Sequence, residues 1–164
     1  MNNNRRPVSI PQALNRASAL CSRSEQAPSA IRDKLLKWGL TPNEASQVLQ
    51  RLLEEDFLNE ERFSRAFVND RFEFNGWGRI KIAHQLRVKG IDGDVINRAL
   101  TVIDEARYRE RLIELLHAKW QTVKHREPRA AWAAMMRFAS SRGFEASLSS
   151  ECVKQVSRTD AEDD

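Results

Sequence analysis

Residues 79–100 of this 164-residue chain read RIKIAHQLRVKGIDGDVINRAL, a helical pattern of apolar residues that stops at Gly90 and then begins again. Ile82 and Leu86 stand eight and four positions before the glycine, and Ile96 stands six positions after it. Spacing of this kind places apolar side chains on one face of a helix. Glycine is the usual residue for the left-handed position that ends a helix. The stretch therefore predicts two amphipathic helices joined by a tight turn at Gly90.

The same arrangement occurs twice more, around Gly39 and Gly143, so that the three glycines are 51 and 53 residues apart. Each pair of helices is preceded by a further helical segment, and a fixed period of this length is typical of stacked helical units. We predict an all-α fold of three tandem three-helix repeats that form an elongated, curved array. A further structural turn is expected at Gly76 and Gly78, which flank Trp77 and permit the chain to reverse there.

The repeats divide the chain into five segments. We expect the repeats at residues 11–58, 59–103 and 104–156, with a basic flexible arm at 1–10 and an acidic, disordered tail at 157–164. The composition, 41% apolar and 30% charged, favours several small cores over one large core.

Several classes of function lack their sequence signatures. No apolar run approaches the roughly 20 residues needed to cross a bilayer, and no secretory signal follows the basic start, so we expect a cytoplasmic protein. Cys21 and Cys152 are not in metal-ligand spacing and are expected to be free thiols. The chain has no zinc-protease histidine pair, phosphate-binding loop or nucleophile motif. We therefore expect no catalysis, no metal and no cofactor.

Positive charge is concentrated in the middle repeat. Residues 62–91 carry seven basic and two acidic side chains, a net charge of +5, in a chain whose pI is about 9.4. Such clustering indicates a polyanionic partner, either nucleic acid or an acidic protein surface, and an ordinary solvated basic face is the alternative. The candidate contact residues are Arg62, Arg65, Arg71, Lys81, Arg87 and Lys89.

The two helices that carry these charges have distinct faces. The first is expected to bury a stripe at helical spacing, interrupted by one acid: Phe63, Ala66, Phe67, Asp70 and Phe74. Another side of that helix is left for a partner and carries Arg62, Arg65 and Asn69. The second helix is expected to turn three residues to the core, Ile82, Ala83 and Leu86, while an outward face carries Lys81, Gln85 and Lys89. Trp77, between the two helices, is expected to be a packing lid, with an exposed contact residue as the alternative.

This middle segment resembles the signature block of a known family. The resemblance is carried by residues 60–71 (EERFSRAFVNDR), 75–82 (NGWGRIKI) and 85–91 (QLRVKGI), with support from 57–63 (FLNEERF) and 13–17 (ALNRA). These residues look like those of the RecX family, small cytoplasmic regulators of the RecA recombinase. The likeness covers most of the chain and is strongest in the middle repeat.

The resemblance implies three tandem three-helix repeats and a specific role. It implies a modulator, mainly an inhibitor, that lies in the groove of the RecA filament on single-stranded DNA. There it would suppress ATP hydrolysis, strand exchange and the coprotease role of RecA, in recombination, DNA repair and the SOS response. The implied partners are the RecA filament and, without sequence specificity, single-stranded DNA, with double-stranded DNA as a second candidate. A monomer without membrane association is expected.

A second hypothesis comes from a different class of protein. The two helices around Gly90 also have the apolar spacing of a helix-turn-helix, which would make the protein a sequence-specific DNA-binding protein. Bases would then be read by the helix at about residues 92–102. Asp92 and Asp94 stand at the start of that helix, where they would face phosphates unfavourably. Operator binding is therefore the alternative to RecA regulation.

Overall fold

The computed structural model describes residues 7–163, and this part of the chain is helical, with no β-strand. The prediction of an all-α fold is confirmed. No helix in the described residues is long and apolar enough to span a membrane. The nine helices are α1 (Ile10–Arg23), α2 (Pro28–Lys37), α3 (Pro42–Glu54), α4 (Glu60–Glu73), α5 (Arg79–Val88), α6 (Gly93–Leu100), α7 (Glu105–Val123), α8 (Pro128–Ser141) and α9 (Ala146–Glu162).

The helices form three bundles of three, one in each segment that was expected to hold a repeat. In every bundle the third helix packs against both others: α3 against α1 and α2, α6 against α4 and α5, and α9 against α7 and α8. Local capping fixes many of the helix starts. Thr41 and Glu44 form a reciprocal capping box at α3, and the Asn59 side chain accepts a hydrogen bond from the Arg62 backbone at α4.

The start of the first repeat lies slightly earlier than predicted. Residues 1–6 of the expected basic arm lie outside the described residues. Ser9 caps α1, which begins at Ile10, and the backbone N–H of Val8 donates to the carbonyl of Trp38 at 3.2 Å. The residues just before α1 are therefore tied to the first repeat.

The prediction of a disordered tail at residues 157–164 is wrong, because α9 continues to Glu162. The Asp160 carboxylate lies 3.6 Å from the Lys124 ammonium at the end of α7. This contact joins two helices that are already packed, so the last turns of α9 are ordered although their sequence lacks an apolar face.

Burial divides the molecule into two units. The first repeat closes a core of its own, whereas the second and third repeats share one continuous core that runs from Phe67 in α4 to Val156 in α9. The residues of α5 predicted to face the core are all buried in the shared one: Ile82, Ala83 and Leu86. Because burial of apolar surface is the main force that holds helices together, repeats 2 and 3 act as one body.

The three glycine turns each bind an earlier part of the chain. The carbonyl immediately before each glycine accepts a hydrogen bond from a residue that stands earlier in the sequence. For Trp38 the donor is the backbone of Val8 at 3.2 Å, and for Arg142 it is the backbone of Gly78 at 2.7 Å. For Lys89 it is the Ser29 hydroxyl at 2.6 Å. The turns at Gly90 and Gly143 therefore contact the preceding repeat, whereas the turn at Gly39 holds the residues just before α1.

The contact between repeats 2 and 3 is made backbone to backbone. The carbonyl of Gly143 also accepts a hydrogen bond from the N–H of Ile80 at 3.0 Å. A Cβ added to Gly78 would stand 2.5 Å from the Gly143 carbonyl carbon, and one added to Gly143 would stand 2.5 Å from the Lys81 nitrogen. Real Cβ atoms do not approach so closely, so only glycine at these two positions permits this junction.

A partly buried polar network supports the same junction. The Tyr108 hydroxyl accepts a hydrogen bond from the Arg79 N–H at 3.0 Å and donates to the Glu145 carboxylate at 2.6 Å. The Arg79 guanidinium lies 3.9 Å from the centre of the Tyr108 ring. Burial and the Glu145 carboxylate raise the pKa of Tyr108 above its ordinary value. The two repeats are thus fixed by apolar, backbone and polar contacts together.

The contact between repeats 1 and 2 is mainly polar. The Arg62 guanidinium of α4 binds the Glu25 carboxylate at 2.6 Å and the Asp56 carboxylate at 2.9 Å. Asp56 has a φ of 62°, the left-handed conformation, at the end of α3. With the Ser29 hydrogen bond to Lys89, these contacts hold the first repeat against the second without a shared apolar core.

The predicted stripe on α4 is partly wrong. Phe67 is buried and Phe63 is half-buried, but Phe74 is 81% exposed. Phe74 is the C-cap residue of α4, and its backbone N–H still donates to the Asp70 carbonyl, so its side chain is exposed at the very end of the helix. Phe72, which the stripe left out, is buried instead and stacks on Tyr108 with ring centres 5.8 Å apart.

Candidate polyanion-binding surface

Three of the candidate cations gather around two aromatic rings in the middle repeat. The rings of Phe67 and Trp77 meet edge to face, with centres 6.4 Å apart. Arg71 lies 4.9 Å from the centre of the Phe67 ring and 5.3 Å from that of Trp77. Lys81 lies 4.6 Å from the Trp77 ring and Lys89 lies 5.7 Å from the Phe67 ring. We call these five residues the aromatic–cation cluster.

The local sequence explains how the cluster forms. Phe67 and Arg71 are four residues apart on α4, so their side chains are neighbours on one face. Lys81 lies in α5 and Lys89, eight residues later, is the residue that caps the end of this helix. Trp77 is held between the helices because its backbone N–H donates to the carbonyl of Arg71 at 3.1 Å. Trp77 packs against the shared core and is only half-buried, so it is a packing residue that keeps an accessible edge.

A ring fixes the position of the cation above it. Contacts of this kind contribute about 0.5–1 kcal/mol at exposed sites, so they restrict long side chains without neutralising their charge. Arg71 also donates to the Asn75 side chain at 3.1 Å. The cluster therefore presents three positioned positive charges beside an aromatic edge, which suits phosphates or carboxylates of a partner.

A groove of about 200 Å³ borders the cluster where the first repeat meets α4. It is lined by Ser24, Glu25, Phe63, Ala66, Phe67, Asp70 and Arg71. Its two carboxylates differ in their surroundings, because Glu25 is bound by Arg62 and Asp70 is exposed. The groove places the cluster at the boundary between the two structural units.

The other three candidate residues do not join the cluster. Arg65 on α4 and Arg87 on α5 are exposed to solvent. Arg62 is turned towards the first repeat, and its hydrogen bond to Glu25 raises its pKa further. The charge of Arg62 is paired with carboxylates of the first repeat, so this residue lies at the junction between repeats.

Sequence reasoning missed a second group of the same kind in the third repeat. Arg142 lies 5.1 Å from the centre of the Phe138 ring, and Lys119 lies 5.8 Å from it. Arg142 also donates to the carbonyl of Asn75 at 2.9 Å, which connects this group to the loop of Trp77. The sequence did contain a signal, because an arginine follows a phenylalanine by four residues both in α4 and at the end of α8. The cationic surface therefore continues across the junction.

The geometry gives no support to base reading by α6. This helix has only eight residues, and its single base, Arg98, forms an ion pair with Glu61 of α4. The Asp92 side chain accepts a hydrogen bond from the Gly93 backbone and so caps the helix. Among the described residues there is also no cluster of side chains that could hold a metal ion. Both cysteines are free, and burial raises the pKa of each thiol.

The fold and this surface define a class: a helical repeat protein that presents a positioned cationic face. Comparison with known proteins specifies the class further. Residues 59–100, which hold α4 to α6, match the family model for the second three-helix domain of RecX. Together with a regulatory protein RecX that is 31% identical and matched over 67% of its length, this shows that the chain belongs to the RecX family of regulatory proteins.

Relatives support this assignment over a larger part of the chain. The regulatory protein RecX of Mycobacterium sp. strain JLS is 31% identical over 122 residues, which are 72% of this chain and 67% of that protein. The regulatory protein RecX of Bacillus subtilis is 32% identical over 92 residues, 56% of this chain. The match spans only 35% of the Bacillus protein.

Solved structures agree in fold. The crystal structure of RecX from Lactobacillus salivarius is 18% identical and superposes with a TM-score of 0.81, covering 90% of this chain and 96% of that one. A second crystal structure of regulatory protein RecX gives a TM-score of 0.78 at 19% identity, covering 89% of this chain and 73% of that one. The helical repeat fold is therefore shared with both.

Proposed function

We propose that this protein is a modulator, mainly an inhibitor, of the RecA recombinase. It binds in the groove of the RecA filament on single-stranded DNA and suppresses ATP hydrolysis, strand exchange and coprotease activity. The proposal rests on the family assignment and on one observation, the aromatic–cation cluster within the repeat that matches the family model. The protein acts as a cytoplasmic monomer in this proposal.

The arrangement of the repeats suits a filament. A filament groove repeats the same surface at each subunit, and a protein of several linked units contacts more than one subunit at once. Linking weak contacts raises the effective concentration of each, so the overall affinity exceeds that of any single contact. In this proposal Arg71, Lys81 and Lys89 bind DNA phosphates or acidic side chains in the groove. Arg65 and Arg87 extend that surface.

The test measures RecA ATP hydrolysis on single-stranded DNA as the protein is added. Wild-type protein is expected to inhibit at ratios well below one per RecA. Replacing Arg71, Lys81 and Lys89 together by glutamine is expected to raise the half-inhibitory concentration about tenfold or more, because three charge contacts are lost.

A matched control separates this surface from net charge. Lys34, Lys37 and Lys154 are exposed and lie in other helices, so their replacement by glutamine removes the same charge elsewhere. This control is expected to inhibit within about twofold of wild type, since surface charges away from a contact contribute little. Equal weakening by both triple variants would refute a role for the cluster. Failure of the wild-type protein to inhibit would refute RecA regulation itself.

A further inference from the structure

The third repeat contains a second cavity, separate from the aromatic–cation cluster. It has a volume of about 290 Å³ and lies where the end of α7, the start of α8 and the middle of α9 meet. Its walls are Trp120, Lys124, Arg126, Pro128, Ala131, Trp132, Val153 and Ser157. Two of the four tryptophans of the chain thus line one cavity, together with two cations.

The two rings differ in how firmly they are held. Trp120 is half-buried and packs against the shared core. Trp132 lies on the outer side of α8 and is 37% exposed, next to the buried Ala131 that anchors the helix. The cavity therefore has one fixed aromatic wall and one aromatic wall that is open to solvent.

The charge around the cavity is positive. From Lys119 to Arg129 the chain has four basic residues and one acidic residue, Glu127. Arg126 and Arg129 are exposed, whereas Lys124 lies near Asp160. A ligand that fits this site has a flat apolar face and a negative charge beside it. An unpaired nucleobase with its phosphate has both.

We propose that this cavity binds an unpaired base of a single-stranded nucleic acid. The base stacks on Trp132 and the adjoining phosphate lies by Arg126. Aromatic side chains and cations are the usual elements of sequence-tolerant single-strand binding. Paired bases are stacked within a duplex and do not offer a free face, so the site discriminates against duplex. Single-stranded DNA is already an implied partner of the protein, so the inference concerns the place and the stacking mode of its binding. This binding requires no RecA, and its failure would leave the regulatory role proposed above intact.

The test compares two oligonucleotides of equal length, oligo(dT) and an abasic strand with the same phosphates, by fluorescence anisotropy without RecA. Wild-type protein is expected to bind oligo(dT) about 5- to 140-fold more tightly than the abasic strand. That ratio follows from ~1–3 kcal/mol of stacking per base at ~1.4 kcal/mol per tenfold. Trp132→Ala is expected to abolish the preference, and Trp132→Phe is expected to restore most of it.

Leu53→Ala is the matched control, because Leu53 is 41% exposed and lies in the first repeat. It is expected to retain the preference for bases. The inference is overturned if wild-type protein binds both strands equally, or if Trp132→Ala keeps the preference. It is also overturned if Trp132→Ala leaves oligonucleotide affinity unchanged but weakens inhibition of RecA, since the cavity would then receive a protein segment.

Discussion

Three glycine-to-alanine substitutions separate backbone strain from steric collision: Gly78 and Gly143 lie at the junction of repeats 2 and 3, and Gly90 lies outside it. Gly90 has a φ of 80° and no atom within 4 Å of an added Cβ. Gly78 has an ordinary φ of −83°, but an added Cβ would meet the backbone of Gly143. Gly143 combines a φ of 89° with a collision against Lys81. Gly90→Ala therefore introduces backbone strain alone, Gly78→Ala introduces a steric collision alone, and Gly143→Ala introduces both.

The expected losses of stability follow from these geometries. Gly90→Ala is expected to cost about 1–2 kcal/mol, the cost of a left-handed conformation for a residue with a side chain. Gly78→Ala forces the two backbones apart and loses the hydrogen bonds to Arg142 and from Ile80 to Gly143, at about 1 kcal/mol each. Gly143→Ala should cost about 3–4 kcal/mol, the sum of both effects.

Urea unfolding followed by circular dichroism measures these differences, with the free energy obtained by linear extrapolation. The shared core predicts that repeats 2 and 3 unfold in one transition, so the loss at Gly143 is read from that transition. If Gly143→Ala destabilises the protein no more than Gly90→Ala does, the backbone contact is not what holds the two repeats together, and the reasoning fails.

Three further predictions concern the polar contacts between repeats. Arg62→Met is expected to accelerate proteolysis of residues 55–59 between repeats 1 and 2 while leaving helix content unchanged, whereas Arg65→Met, an exposed change on the same helix, should not. Raising the salt concentration should accelerate that cleavage in wild-type protein but not in Arg62→Met, because the ion pairs are already absent. Tyr108 is the only tyrosine, so tyrosinate absorbance reports its ionisation alone. Its pKa should lie above the ordinary value near 10 in folded protein and close to that value in urea. Because the pKa is raised on folding, the stability from this residue is complete below that ordinary value and falls as the pH rises above it.

The helices and their turns were predictable because their determinants are local. Gly39, Gly90 and Gly143 all have positive φ, and the apolar spacing around them places helices on both sides. The prediction for α5 was correct in its buried residues for the same reason. Phe74 was placed wrongly because helical spacing does not show where the packing of α4 ends: Phe74 is its C-cap residue and is exposed.

The candidate site was less predictable, because it depends on which groups meet across helices. The cations were found from their density along the chain, but nothing local shows that Lys89 lies over Phe67 while Arg62 turns away to Glu25. Arg62 was chosen with the other cations because its partner stands 37 residues earlier. The recurrence of arginine four residues after phenylalanine was the one local clue to the cluster.

The same kind of contact is made by different residues at the two junctions between repeats. This difference explains why repeat 1 is one body while repeats 2 and 3 form another. The glycine turns of repeats 2 and 3 each offer a carbonyl to the preceding repeat. Gly78 has no side chain, so its backbone contacts the backbone of the Gly143 turn directly and the cores of repeats 2 and 3 merge. The corresponding loop of repeat 1, residues 24–27, contains no glycine, and the junction is made by side chains such as Ser29. The aromatic–cation cluster and the tryptophan cavity therefore lie on one body at a fixed separation. Since polar contacts reorganise more easily than a packed core, adjustment to a partner is expected at repeat 1.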